Sequence, residues 1–393
     1  MGEPAAGSGT ADPRFEAVIL LARGADVRLA GMTLLERAVF TAARAGARRV
    51  LCVGERPGKG LRLPELPVTW AAHGGDVIRG WLGGATSVLV GLSATTVVDT
   101  ATVRMLASAP GSGLLTATGP GSLWRCEPCA LPAVIAALVP AAPGSRERPQ
   151  PLPPAVPWTP PPGSLFARAD DEAGRRTVET ALYARLGRSG DGWFTRLVDR
   201  RISRLLTRLL LPTGASPNQV TVASIGLGII ASLLFASGEA RLQFGGALLF
   251  LLSTIVDGCD GEIARLTFRE SRFGAHLDVV GDNLVHLFLF TGIAVGIHRQ
   301  APDGGIVALG ALLLLGAALA MATVYWCLVR REPTRAQRWL FETFASREFA
   351  YVLVVLAATG KLVWFLWAAA IGTHVFVAGL LLLRHRPRVS ARG

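Results

Sequence analysis

Residues 257–282 read DGCDGEIARLTFRESRFGAHLDVVGD, and the rest of the chain is organised around them. The stretch holds four aspartates, Asp257, Asp260, Asp278 and Asp282, inside sequence otherwise apolar enough for a membrane. Their spacing is helical. Asp257, Asp260, Gly261 and Ala264 recur at i, i+3, i+4 and i+7, one face of a helix. Gly274, Asp278 and Asp282 recur at i, i+4 and i+8, one face of the next. A turn is predicted near Arg269. With antiparallel helices, Asp260 meets Asp278 about 13 Å from the turn and Asp257 meets Asp282 about 19 Å from it, at ~1.5 Å per residue. An ionised carboxylate at the centre of a membrane helix costs about 2.5–3.5 kcal/mol. Four of them need an offset. Oxygen-ligated divalent cations supply one, so the expectation is one or two Mg²⁺ or Mn²⁺ ions, two being the number commonly placed to clamp a diphosphate during displacement.

The chain has 393 residues, room for two domains. Apolar residues make up 51 % of it. Its net charge of +12 does not indicate a nucleic-acid partner, because the arginines cluster at the ends of apolar runs. One Cys126–Cys129 CxxC pair without a second pair or a nearby histidine is weak evidence for zinc. The first fifteen residues lack an apolar core, so no signal peptide is expected.

Six apolar segments lie near 218–236, 242–266, 272–297, 305–329, 347–360 and 362–383, the fifth short for a span. Before them, residues from Asp191 interleave Trp193, Phe194, Leu197, Ile202, Leu205, Leu206 and Leu209 with arginines. This predicts an amphipathic helix at an anionic membrane surface. With the N-terminal part in the cytoplasm, twelve arginines, from Arg265 to Arg392, fall on that side. Only Arg241, Arg299 and Lys361 fall on the other. The positive-inside rule therefore predicts a multi-pass protein of the cytoplasmic membrane, with the aspartates near the cytoplasmic face.

Asp257, Asp260, Gly261, Ala264, Arg265, Gly274, Asp278 and Asp282 together resemble the signature of the CDP-alcohol phosphotransferase (CDP-alcohol phosphatidyltransferase) family. The pattern around Ser216-Pro217-Asn218 and Thr221 extends the likeness. It is nearest the bifunctional type that fuses a cytidylyltransferase to a di-inositol-phosphate-phosphate synthase. The resemblance implies displacement of CMP from a CDP-alcohol, CDP-diacylglycerol or CDP-inositol, by an acceptor hydroxyl. It implies metal ligation by Asp257, Asp260, Asp278 and Asp282, with Asp282 also the base. It implies CDP contacts from Asn218, Thr221, Gly261, Ala264, Arg265 and Gly274, and a homodimer in the bilayer. Arg200, Arg204, Arg338 and Arg347 are candidates for gripping an anionic acceptor such as inositol phosphate. The bland reading of each arginine is a positive-inside anchor.

Residues 15–142 alternate apolar runs, at 17–22, 49–53, 87–91 and 113–117, with helical patterns, which predicts an α/β domain. Gly31–Gly54 resembles the sugar-nucleotide nucleotidyltransferases, and within them the inositol-phosphate cytidylyltransferases. The chain before Gly31 has no room for their phosphate loop and no lysine. Their metal-binding aspartate is missing too, and Asp99 falls several residues too late. The domain is read as non-catalytic. Residues 143–190 are expected as a Pro-rich linker and a helix, and 191–386 as the membrane domain. The fold class is thus a nucleotidyltransferase-like α/β domain plus six transmembrane helices and an amphipathic juxtamembrane helix.

Two other classes stay open. A cation-coupled transporter predicts ion flux without CMP release, and does not account for Gly261, Ala264, Arg265 and Gly274 at fixed spacing. A silent membrane scaffold has no need for an intact aspartate set.

Overall fold

The computed structural model describes residues 14–58, 60–72, 75–85, 87–111, 113–138, 154–187, 198–330, 333–344 and 348–383. It divides into two compact units, Met1–Arg185 and Leu186–Gly393.

Unit one runs β1 (Phe15–Leu20), β2 (Arg28–Leu29), β3 (Met32–Thr33), α1 (Leu34–Ala45), β4 (Ala47–Val53), β5 (Val68–Ala71), α2 (Gly75–Gly83), β6 (Leu89–Ser93), β7 (Thr96–Val98), α3 (Thr100–Ala107), β8 (Leu114–Ala117), β9 (Leu123–Cys126), α4 (Leu131–Leu138), β10 (Ala155–Trp158), β11 (Phe166–Arg168) and α5 (Glu172–Ala184). Every residue of β1 is buried, as a strand covered on both faces requires. It pairs in parallel with β4 and β6. The main sheet has the order β10-β8-β9-β6-β1-β4-β5. The four apolar runs expected as strands are β1, β4, β6 and β8. β9 has no counterpart among those runs, and it lies antiparallel between β6 and β8. At the head of α1, Thr33 and Glu36 cap each other's backbone N–H, and Gly46 ends the helix in the left-handed region.

Within the stretch read as linker, Ala155–Trp158 adds the edge strand β10 beside β8, and Phe166–Arg168 pairs with β7. Pro157 is tolerated there because an edge strand can forgo one N–H. Asp99 has a structural task. It accepts from Thr102 N at 2.7 Å, capping α3, from Leu165 N at 2.7 Å, and from Arg185 at 3.1 Å. Burial alone raises its carboxyl, but these bonds outweigh burial and hold it below the usual carboxylate value.

Unit two is helical: α6 (Arg200–Leu210), α7 (Pro217–Ala236), α8 (Ala240–Thr267), α9 (Arg272–Gln300), α10 (Gly304–Val324), α11 (Arg335–Phe344), α12 (Phe349–Ala358) and α13 (Leu362–Leu382). Five of these, α7, α8, α9, α10 and α13, are long and apolar enough to cross a membrane. The fifth expected segment is α12, whose 10 residues extend about 15 Å, half of a ~30 Å hydrocarbon core. It starts deep in the bundle. The Phe349 ring lies 5.6 Å from Phe250 of α8 and 5.7 Å from His286 of α9.

α7 packs against both α8 and α9. Small residues permit the approach: a Cβ on Gly296 would lie 2.0 Å from the Phe235 carbonyl oxygen, and one on Gly292 2.3 Å from that of Ser232. Ser216 and Gln219 form a capping box at the start of α7, with Pro217 at the first helical position. α8 ends at Phe268, in the left-handed region, and Ser271 caps α9, so the turn falls at the predicted place. Exposed Arg241 and Arg299 mark the opposite ends of these two helices.

Candidate active site

The turn at Phe268–Ser271 folds α9 back along α8 and brings the two aspartate faces together. Asp257, Asp278 and Asp282 each offer a carboxylate oxygen, all within 4.8 Å of one another. Asp257 is buried, Asp278 half-buried and Asp282 partly exposed. Among the described residues this is the group able to hold a metal ion. The donor set fits a hard divalent cation. Two oxygens bound to one Mg²⁺ at about 2.1 Å stand no more than ~4.2 Å apart, close to what the three carboxylates already present.

Asp260 does not join the three. Its spacing places it in one layer with Asp278. Instead its carboxylate accepts a hydrogen bond from the Thr221 hydroxyl of α7. One turn along α7, Ser224 Oγ lies 3.4 Å from Asp257 Oδ1 and 2.8 Å from the Thr221 carbonyl. Two hydroxyls of α7 thus face the two aspartates of α8. Thr221 is among the expected CDP contacts; Ser224 is not, although its i+3 spacing from Thr221 is a helical signal.

Gly274 and Asn218, both expected at the CDP, lie together. A Cβ on Gly274 would stand 2.9 Å from Asn218 Oδ1, so the first turns of α7 and α9 meet there. Gly261, Ala264 and Arg265 are half-buried along the last turns of α8.

The arginines expected at the acceptor separate. Arg200 is buried in an ion pair with Glu262 at 3.0 Å, their side chains 10 % and 0 % exposed. Its guanidinium thus already serves a buried carboxylate. Arg204 Nε is buried and has no hydrogen-bond partner among the described residues. Arg338 is exposed on α11, and Arg347 lies outside the described residues. Glu262 escapes a reading by motif. It looks like filler inside DGCDGEIAR, yet it also accepts from Ser203 Oγ at 2.8 Å and Thr207 Oγ1 at 2.8 Å. Tyr351 of α12 donates to Asp199, just before α6.

Carboxylates gathered between apolar helices make a candidate divalent-metal site within a membrane-type helical unit. Residues 215–386 match the family model of the CDP-alcohol phosphatidyltransferases. A curated relative from Rubrobacter xylanophilus, a bifunctional IPC transferase and DIPP synthase, is 38 % identical over 154 residues, 39 % of this chain and 35 % of its own length. A phosphatidylinositol phosphate synthase from Streptomyces avermitilis is 32 % identical over 124 residues, 31 % of this chain and 47 % of its own. The chain therefore matches less than half of either relative. The crystal structure of Mycobacterium tuberculosis phosphatidylinositol phosphate synthase with CDP-DAG bound aligns at a TM-score of 0.35 and 22 % identity, covering 46 % of this chain and 92 % of that one.

Proposed function

We propose that the chain transfers a phosphoryl-linked alcohol from a CDP-alcohol to an acceptor hydroxyl and releases CMP. The observation that carries this reading is the convergence of Asp257, Asp278 and Asp282 within a matched family domain. These residues would hold divalent metal, which supplies charge neutralisation for a diphosphate. Asp260, steadied by Thr221, completes the ligand set, and two ions are the proposed number. Asp282, the most open of the three converging carboxylates, takes the acceptor hydroxyl's proton. The acceptor oxygen then bonds to the phosphorus bearing the alcohol, and the bond from that phosphorus to the CMP oxygen breaks. Asn218, Thr221, Gly261, Ala264, Arg265 and Gly274 seat the CDP portion. Gly274 does so where its missing side chain leaves the backbone open beside Asn218.

The acceptor proposed is inositol phosphate, in line with relatives named phosphatidylinositol phosphate synthase and archaetidylinositol phosphate synthase. Arg204, Arg338 and Arg347 are its proposed contacts. The donor is CDP-diacylglycerol or CDP-inositol. The protein is proposed to cross the cytoplasmic membrane six times, as a homodimer, with unit one and the aspartates on the cytoplasmic side. Unit one is proposed to be non-catalytic. Asp99 is held by α3, Leu165 and Arg185, and Arg175 packs over Gly24 in the turn after β1.

The test is CMP release from each donor with Mg²⁺ and a panel of acceptors, in wild type and Asp282→Asn. Release by the wild type that falls at least ~100-fold in the variant supports the reading. No release from either donor sinks it.

A further inference from the structure

α6 buries a polar set. Arg200, Ser203 and Thr207 are buried, while Ile202, Leu205 and Leu209 are exposed together with Arg201 and Arg208. The buried side chains converge on Glu262 of α8. Arg200 Nη1 and Ser203 Oγ donate to Oε1, and Thr207 Oγ1 donates to Oε2. One turn back on α8, Cys259 Sγ lies 3.5 Å from the Ser203 carbonyl oxygen. At ~100° per residue, Glu262 points about 140° away from Asp257 and about 160° away from Asp260. The opposite face of this short stretch of α8 is held by Thr221 and Ser224 of α7. Residues 257–262 are therefore gripped from both sides by hydroxyl–carboxylate contacts.

We propose that Glu262 is a positioning residue: through Arg200, Ser203 and Thr207 it fixes the rotation of α8 that presents Asp257 and Asp260 to α7 and α9. The inference rests on reading the aspartate face as the reaction site. A carboxylate carried ~6 Å from the helix axis moves about 1 Å for each 10° of rotation, and displacements of that size matter to a metal site and to reacting atoms. Leu206 and Leu210 of α6 also pack against Cys259 and Ile263 of α8, but the contacts that fix a direction on α8 are the hydrogen bonds from the buried hydroxyls to Glu262.

The full chain, purified in detergent, is titrated with Mn²⁺ by electron paramagnetic resonance, and CMP release is measured in parallel. Glu262→Gln keeps the side chain's shape and removes its charge. It is expected to weaken Mn²⁺ binding about 10-fold or more, as loss of a supporting partner does at metal sites. It is expected to lower kcat by a similar factor while KM for the CDP-alcohol changes less. Thr207→Val strips one donor and should act in the same direction at smaller size, which keeps the test open if Glu262→Gln does not fold. Leu313→Ala, a core substitution in α10, supplies a destabilised control that should leave Mn²⁺ affinity near wild type. Mn²⁺ binding in Glu262→Gln and Thr207→Val equal to wild type, or no weaker than in Leu313→Ala, overturns the proposal. A wild type that binds Mn²⁺ but releases no CMP overturns the transferase reading instead, and the Mn²⁺ comparison still decides the role of Glu262. Absence of Mn²⁺ binding in the wild type overturns both.

Discussion

The Thr221 hydroxyl of α7 donates to the Asp260 carboxylate of α8, and this contact separates Asp260 from the three aspartates that converge. Thr221 is itself buried, and its hydroxyl has the Asp260 carboxylate and the Pro217 carbonyl, at 3.1 Å, as its acceptors. Thr221→Val keeps the shape and leaves a half-buried carboxylate short of a partner, at a cost of about 1 kcal/mol. Thermal unfolding in detergent should shift down, and CMP release should fall. Thr221→Ser should retain most of both.

Metal removal gives a second expectation. Three carboxylate oxygens within 4.8 Å repel one another without a cation between them. Chelation should abolish CMP release, and Mg²⁺ or Mn²⁺ should restore it. Thermal unfolding should rise on metal addition, by roughly RT ln(1 + [metal]/Kd) in free energy, and that rise should vanish in Asp257→Asn.

The α7–α9 interface supplies a matched pair of glycine substitutions. A methyl group on Gly296 would overlap the Phe235 carbonyl oxygen, and backbone cannot swing aside as a side chain can. Gly296→Ala should destabilise unit two by about 1–3 kcal/mol or more. Gly226→Ala, on α7 with nothing within 4 Å of the added carbon, should be neutral or slightly stabilising. Thermal unfolding of the two variants side by side is the measurement.

Unit one carries a pH expectation. The bonds to Asp99 hold its carboxyl below the usual value. A lowered folded value means that its contribution is present above the unfolded value, about 3.9, and is lost as pH falls through the folded one. Asp99→Asn should therefore lower the unfolding temperature of unit one at pH 7, by roughly 2–4 °C for each kcal/mol lost. The gap between wild type and variant should shrink below about pH 4.

The aspartate spacing makes the α8–α9 hairpin and the convergence of Asp257, Asp278 and Asp282 legible, because a polar stripe inside apolar sequence is stable only where it faces a partner. The place of Asp260 is not legible in the same way. Its partner, Thr221, lies 39 residues away, and spacing within one helix pair carries no information about it. The pairing of Arg200 with Glu262 is not legible either. Nothing in an arginine-rich amphipathic helix beside membrane sequence singles out the one arginine that turns inward to a buried glutamate 62 residues on, while Arg201 and Arg208 stay exposed. In unit one the buried parallel strands are plain from unbroken apolar runs. β9 and β10 are hidden, the first by Arg125 within four residues and the second by proline.

Arg241 and Arg299, at the far ends of α8 and α9, set a depth gauge for the site. About 20 helical residues cross a ~30 Å hydrocarbon core. Counted forward from Arg241 that length reaches Gly261, and counted back from Arg299 it reaches Val279. Asp260 and Asp278 then lie at headgroup level, with Asp257 and Asp282 one turn below. On the proposed reading with CDP-diacylglycerol as donor, that depth would let a lipid diphosphate reach the aspartates without leaving the bilayer and a water-soluble acceptor reach them without entering it. Two substrates of opposite solubility would then need no tunnel to meet.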